Sequence, residues 1–244
     1  AVRRGGNALI VSRSPEKLEK ASKEIISKAA ANACCEKIGI VSTAILDASD
    51  ESAVEEFICS TQVMNGEWDG LVFSAAGRAP HGPIDKLDTS LTKELMDIKF
   101  WGAYHCAKHI VPKLRDGGAC VFVSGVLNRR PGINCSPLAC TNGALEGLTR
   151  SLALEFGPRI RVNCMSPGFC DTERFDHMDA ERKKAMLENT ADSLPLKRVG
   201  QPSDMGEAIY YLLTAPFVTG VVLDVDGGHG IRQYANPNSD PMRK

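Results

Sequence analysis

The sequence is poor in aromatics and lacks the patterns that mark several functional classes. Phe, Trp and Tyr make up 6% of its 244 residues, and only four residues are tyrosine, at 104, 210, 211 and 234. No apolar run approaches the ~20 residues that span a bilayer, which argues against a membrane partner. No signal peptide is visible. No C-x-x-C occurs among the nine cysteines, so zinc ribbons and thioredoxin-type redox motifs find no support and no metal is expected. Neither charge dominates. The balance of 29 basic against 30 acidic residues, net −1, gives no pull toward nucleic acid or an anionic surface. There is no internal repeat, no low-complexity tract and no G-x-G-x-x-G.

What is present suits one α/β domain. Hydrophobic residues at 43% and charged residues at 24% are ordinary for a globular chain and exclude wholesale disorder. The cysteines, at 34, 35, 59, 106, 120, 135, 140, 164 and 170, lie mostly in apolar stretches, as Cys120 does between Ala119 and Val121. They read as small buried hydrophobes in a reducing, cytoplasmic compartment.

Apolar runs of strand length alternate with helical patterns. Strands are expected at Asn7–Ser12, Ile40–Leu46, Gly70–Ser74, Ala119–Ser124, Ile160–Met165 and Val221–Val225. Their nearly continuous hydrophobicity is that of strands covered on both faces. Ser14-Pro15-Glu16 supplies an N-cap, a proline at N1 and an acidic first turn for a helix running to about residue 31. Further helices are expected near 50–64, 90–114, 140–156, 178–190 and 202–214, the last opened by Gln201-Pro202-Ser203-Asp204. This alternation predicts a doubly wound parallel sheet of Rossmann type, single-domain over 1–233, with ligands at the carboxyl ends of the strands. Residues 234–244 read as a polar tail.

Those strand ends carry a recognisable set. Ser12-Arg13-Ser14-Pro15, Leu46-Asp47-Ala48, Phe73-Ser74-Ala75-Ala76-Gly77, Val123-Ser124-Gly125, Ala144 to Glu155, Arg161-Val162-Asn163 with Ser166-Pro167-Gly168 and Thr172, and Asp224-Val225-Asp226-Gly227-Gly228 occur in order. Together they resemble the short-chain dehydrogenase/reductase family over essentially the whole chain. The resemblance implies an NAD(P)-dependent oxidoreductase. It implies a cofactor site built from Ser12, Arg13, Asp47, Ala48, Ala75, Ala76, Gly77, Asn142, Pro167, Gly168, Phe169 and Thr172. Arg13 faces an adenosine 2′-phosphate in such proteins, which favours NADP over NAD. It also implies a homodimer or homotetramer formed through the helices near 90–114 and 140–156.

The sequence departs from the family at the chemistry. Anchored on Gly143-Ala144-Leu145-Glu146-Gly147-Leu148, the Tyr-x-x-x-Lys pair becomes Leu138-Ala139-Cys140-Thr141-Asn142. The family's supporting asparagine falls at Lys99, the second asparagine of its Asn-Asn-Ala-Gly at Ala75, and only Ser124 keeps its identity. Reducing a carbonyl takes a hydride and a proton. A phenol, with an unperturbed pKa of ~10, gives that proton when an ammonium lowers its pKa. Leu138 has none to give. Lys99 is a candidate replacement, since burial lowers the pKa of an amine, and the thiols of Cys135 and Cys140 are others. Tyr104, Tyr210 and Tyr211 read as packing residues. The loop Asn128-Arg129-Arg130-Pro131-Gly132 with Leu138 and Asn142 resembles a divergent subgroup that lacks the tyrosine. Two functions are therefore open: an oxidoreductase of weak or altered activity, acting on an unknown carbonyl or alcohol, and a nucleotide-binding pseudoenzyme. In the family, Ala1 to Asn7 corresponds to the end of the first helix. The resemblance thus implies ~25 preceding residues carrying the first strand and its glycine-rich turn. Without that turn, dinucleotide binding is no longer expected.

Overall fold

The computed structural model describes residues 1–34, 36–60 and 68–231. The expected tail at 234–244, Cys35 and the stretch 61–64 of the expected second helix lie outside the described residues. The chain forms two compact units, residues 1–64 and 65–244, and every strand pair in both is parallel.

In the first unit, β1 (Ala8–Ser12) and β2 (Val41–Ile45) pair in register from Ala8 with Val41 to Ser12 with Ile45. The crossover between them is α1 (Pro15–Ala31), which buries Leu18 and Ala29. Ser14 caps it by accepting from the Lys17 amide at 3.2 Å, as the Ser-Pro-Glu signature predicts. Asp50 caps α2 (Glu51–Cys59) in the same way. Before β1, the turn Val2–Arg4 closes on Gly5, whose φ of +81° is one that glycine adopts without strain.

In the second unit the strand order is β3 (Gly70–Phe73), β4 (Ala119–Val123), β5 (Arg161–Pro167) and β6 (Val222–Val225). Residues 119–122 are wholly buried, as their unbroken hydrophobicity predicts. The expected helix over 90–114 is found in pieces. α3 (Thr89–Met96) runs into a π-helical turn, Asp97–Trp101, and then α4 (Gly102–His109), with Pro112 in the short turn that follows. The expected 140–156 helix begins earlier, as α5 (Ser136–Phe156), because Pro137 fits its first turn. α6 (Ala180–Ser193) and α7 (Pro202–Thr214) complete the unit.

α7 packs Leu212 against Val121 and Met165, flanked by Ile209, Leu213 and Leu223. Burying an aliphatic side chain of this kind contributes ~1.5–3 kcal/mol. Polar side chains of β5 finish the packing. The Arg161 guanidinium donates to the carbonyls of Leu212 (2.9 Å) and Leu213 (2.6 Å), which would otherwise lack partners at the end of α7. Asn163, fully buried, donates to Val218 O and accepts from the Val221 amide.

Candidate active site

β4 delivers Ser124 to the carboxyl end of the sheet, where its amide donates to Met165 O at 2.9 Å. Lys99 reaches the same point from the π-helical turn. It is 5% exposed, and its Nζ donates to the main-chain carbonyl of Ser124 at 2.9 Å and to Oδ1 of Asn142 at 2.6 Å. Asn142, on α5, is 1% exposed. The structure thus brings together three of the predicted residues, Lys99, Ser124 and Asn142. Lys99 and Asn142 are in direct hydrogen-bond contact. Leu138, half-buried one turn before Asn142 on α5, adds only hydrocarbon.

Ser124 joins this group through its backbone. Its hydroxyl donates to Oε1 of Glu146 at 3.2 Å, in the interior between β4 and α5. This bond occupies the Oγ proton of Ser124, which is 4% exposed. Glu146 Oε1 also accepts from Arg129 at 2.5 Å, and Arg129 continues to Ser166 Oγ at 2.9 Å and to the carboxylate of Asp224. Burial works to lower the Arg129 pKa, but the bonds to Glu146 and Asp224 outweigh it and hold the guanidinium above its ordinary value. Burial pushes the neighbouring Cys164 thiol up, although hydrogen bonding with Ser124 works against this. Arg129 and Glu146 both lie within the motifs named above, but the sequence alone does not assign them a role. The available signal was the spacing of Asn142 and Glu146, four residues apart on one helix face.

The candidate thiols lie elsewhere. Cys140 is exposed, and Cys135 lines a cavity of about 310 Å³ with Gly82, Ile84, Pro131, Asn134 and Ser136. None of the residues lining it carries a charge. The Gly82 amide donates to Asn134 O at 3.1 Å and ties its two loops together. Tyr104 packs its ring 5.6 Å from that of Trp101, and Tyr210 and Tyr211 lie on α7.

The remaining predicted positions also fall at strand ends. In the first unit Ser12 ends β1, and the exposed Arg13 guanidinium sits 3.4 Å from Asp47 Oδ2, with Ala48 next in the turn. Burial works to raise the Asp47 pKa, but bonds from the Ser49 hydroxyl and amide, together with Arg13, hold it below the ordinary aspartate value. In the second unit Ala75, Ala76 and Gly77 follow β3, and a Cβ on Gly77 would come within 3.0 Å of Ile98 in the π-helical turn. Pro167 ends β5. A Cβ on Gly168 would lie 2.6 Å from Asp226 Cα, so the fold already demands this glycine. Phe169 stacks on Phe175 at 5.2 Å, and Thr172 starts the short turn Glu173–Phe175.

A family model described as enoyl-(acyl carrier protein) reductase matches residues 2–230. The chain belongs to the short-chain dehydrogenase/reductase family. It is 33% identical over 181 residues to human dehydrogenase/reductase SDR family member 4, covering 71% of this chain and 64% of that one. It is 31% identical over 188 residues to the cis-4-hydroxycyclohexanecarboxylate dehydrogenase of Sinomonas cyclohexanicum, covering 75% and 74%. Among solved structures, a small-chain dehydrogenase in complex with NADPH is 32% identical, with a TM-score of 0.76, over 93% of this chain and 99% of that one. These relatives are oxidoreductases, and the short-chain dehydrogenase/reductase fold accounts for the parallel strands and for the clustering of Lys99, Ser124 and Asn142 at their carboxyl ends. Among the described residues, no helix is long and apolar enough to cross a membrane.

Proposed function

We propose that this chain is an NADP-preferring oxidoreductase acting on a carbonyl or alcohol, with Lys99 as the proton donor in place of the family's tyrosine. The observation that carries the reading is the Lys99 ammonium, buried at the end of β4 and held by Ser124 O and Asn142 Oδ1. Bound NADPH supplies the hydride. Lys99 holds the proton destined for the substrate oxygen. A neutral amine keeps N–H donors, so both oxygens stay paired after the proton leaves. Ser124 contributes its carbonyl, Asn142 orients Lys99, and Leu138 excludes water.

Within each unit, the residues suit the part of the cofactor proposed for them. Arg13 offers an exposed guanidinium to a 2′-phosphate, and Ser12, Asp47 and Ala48 serve the adenosine end. Ala75, Ala76, Gly77, Pro167, Gly168, Phe169 and Thr172 serve the nicotinamide end. The relative solved with NADPH supports this choice. Exposed Trp101 and Tyr104 beside α4, and Leu154 on α5, support a homodimer or homotetramer formed through those helices. A monomer in sizing chromatography would contradict that part. The cysteines buried as thiols support a reducing, cytoplasmic setting.

A second reading, a nucleotide-binding pseudoenzyme, is favoured by one observation: the Ser124 hydroxyl is spent on Glu146. Titration with NADPH and NADH, followed by cofactor absorbance against a library of carbonyl compounds, separates the two. Turnover with NADPH supports the oxidoreductase. Binding without turnover supports the pseudoenzyme, and no binding overturns both.

A further inference from the structure

We propose that Gly125 is a positioning residue: its missing side chain makes the room in which the Asn142 amide turns its oxygen to Lys99. The inference deepens the reading of Lys99 as the proton donor and rests on it for its catalytic meaning, though the geometry is independent of any turnover. A lysine ammonium only donates. The group of Asn142 that meets it at 2.6 Å is therefore the amide oxygen, and the amide nitrogen is turned to the other side. Gly125 occupies that side. A Cβ built on it would stand 2.8 Å from Asn142 Nδ2, 3.4 Å from Cγ and 3.5 Å from Oδ1. Contact at 2.8 Å is tighter than carbon and nitrogen tolerate, so one group must move. Asn142 lies in the interior of α5 at 1% exposure, with no solvent to retreat into. The available motion is rotation of the amide, which takes Oδ1 off Lys99. Residues 99, 125 and 142 therefore form one co-adapted set. A lysine at 99 facing an asparagine at 142 requires a residue without Cβ at 125. Among the charged groups on neighbouring elements, Glu146, one turn along α5, and Arg129 are paired with each other.

The test reads Lys99 directly. Protein carrying lysine labelled with ¹⁵N at Nζ is titrated by NMR, with the Lys99 signal assigned by its loss in Lys99→Met. An ammonium that loses an oxygen acceptor in a buried site becomes easier to deprotonate. In Gly125→Ala the midpoint is expected to fall by roughly one pH unit, and to fall similarly in Asn142→Ala. Adding Gly125→Ala to Asn142→Ala is expected to change nothing further. A midpoint that stays at the wild-type value in either single variant overturns the proposal. Gly125 also has a φ of +156°, so Gly125→Ala alone can fail to fold. In that event the double variant decides. Recovery of folding in Gly125→Ala/Asn142→Ala supports the clash with the amide, and failure shows that the backbone alone requires the glycine, which overturns the proposal. If the titrations behave as expected in a protein without reductase turnover, the functional reading fails and the positioning role stands.

Discussion

Lys99 Nζ and Asn142 Oδ1 lie 2.6 Å apart at the junction of the π-helical turn and α5, both side chains almost wholly buried. A buried cation against a neutral amide is costly unless its other donors are also satisfied, and the Ser124 carbonyl at 2.9 Å takes a second one. The two groups that meet the Lys99 ammonium at these distances are uncharged dipoles.

Arg13 sets the cofactor preference in this account. Arg13→Ala should weaken NADPH binding about 10- to 100-fold, the worth of a charge-assisted hydrogen bond to phosphate, and leave NADH binding nearly unchanged. Fluorescence titration with the two nucleotides checks this. Equal losses for both would show that Arg13 does not face the 2′-phosphate.

The pair Arg129 and Glu146 is predicted to be structural. Arg129→Met leaves the Glu146 carboxylate buried with the Ser124 hydroxyl as its remaining described partner, and should cost about 2–4 kcal/mol in urea unfolding. Removing both groups together, as Arg129→Met/Glu146→Met, should cost clearly less than the sum of the single losses. Additive losses would show that the two do not interact.

Thiol reactivity should follow burial. Cys34, Cys59 and Cys140 are exposed and should react quickly with a thiol reagent in the native protein. Burial pushes Cys106 up to about 12 and raises Cys120 and Cys164 as well, so these three should react only on unfolding. Mass mapping of labelled peptides with and without denaturant reads this. Fast native labelling of Cys120 would contradict the buried sheet.

Asp204 ties stability to acid pH. Hydrogen bonds from Arg198 at 2.7 and 3.0 Å, then the Gln201 amide at 2.8 Å, hold its carboxyl down to about 2. The folded-state value lies below the unfolded one, so this stabilisation is complete above the ordinary aspartate value of ~3.9 and is lost as the pH falls through about 2. The carboxylate is partly exposed, which limits its worth to about 1 kcal/mol. Asp204→Asn should therefore be less stable at pH 7, with the gap to wild type closing between roughly pH 4 and 2. A gap that is constant with pH would show that the charge is irrelevant.

The strands and helix starts were legible because their signals are local. The alternation of apolar runs placed the six strands seen among the described residues, and Ser14-Pro15 marked the start of α1 through chemistry within one turn. Less legible was the π-helical turn at Asp97–Trp101, because no local signal in that stretch distinguishes it from an ordinary helix. At the site, Lys99 and Asn142 could be singled out by their positions within the family's motifs. The direction of the Ser124 hydroxyl could not. It depends on Glu146 and Arg129, which come from separate elements and meet Ser124 only in the folded chain. Gly168 shows the same limit: the sequence marks a tight turn, but only the fold shows that Asp226 is what requires it.

Lys99 as the proton source is tested most directly by single-turnover oxidation of bound NADPH by a carbonyl substrate in wild type and in Lys99→Met. The account predicts a rate lower by about 10²–10⁴-fold in the variant, with NADPH affinity unchanged. A variant that turns over at the wild-type rate would contradict it.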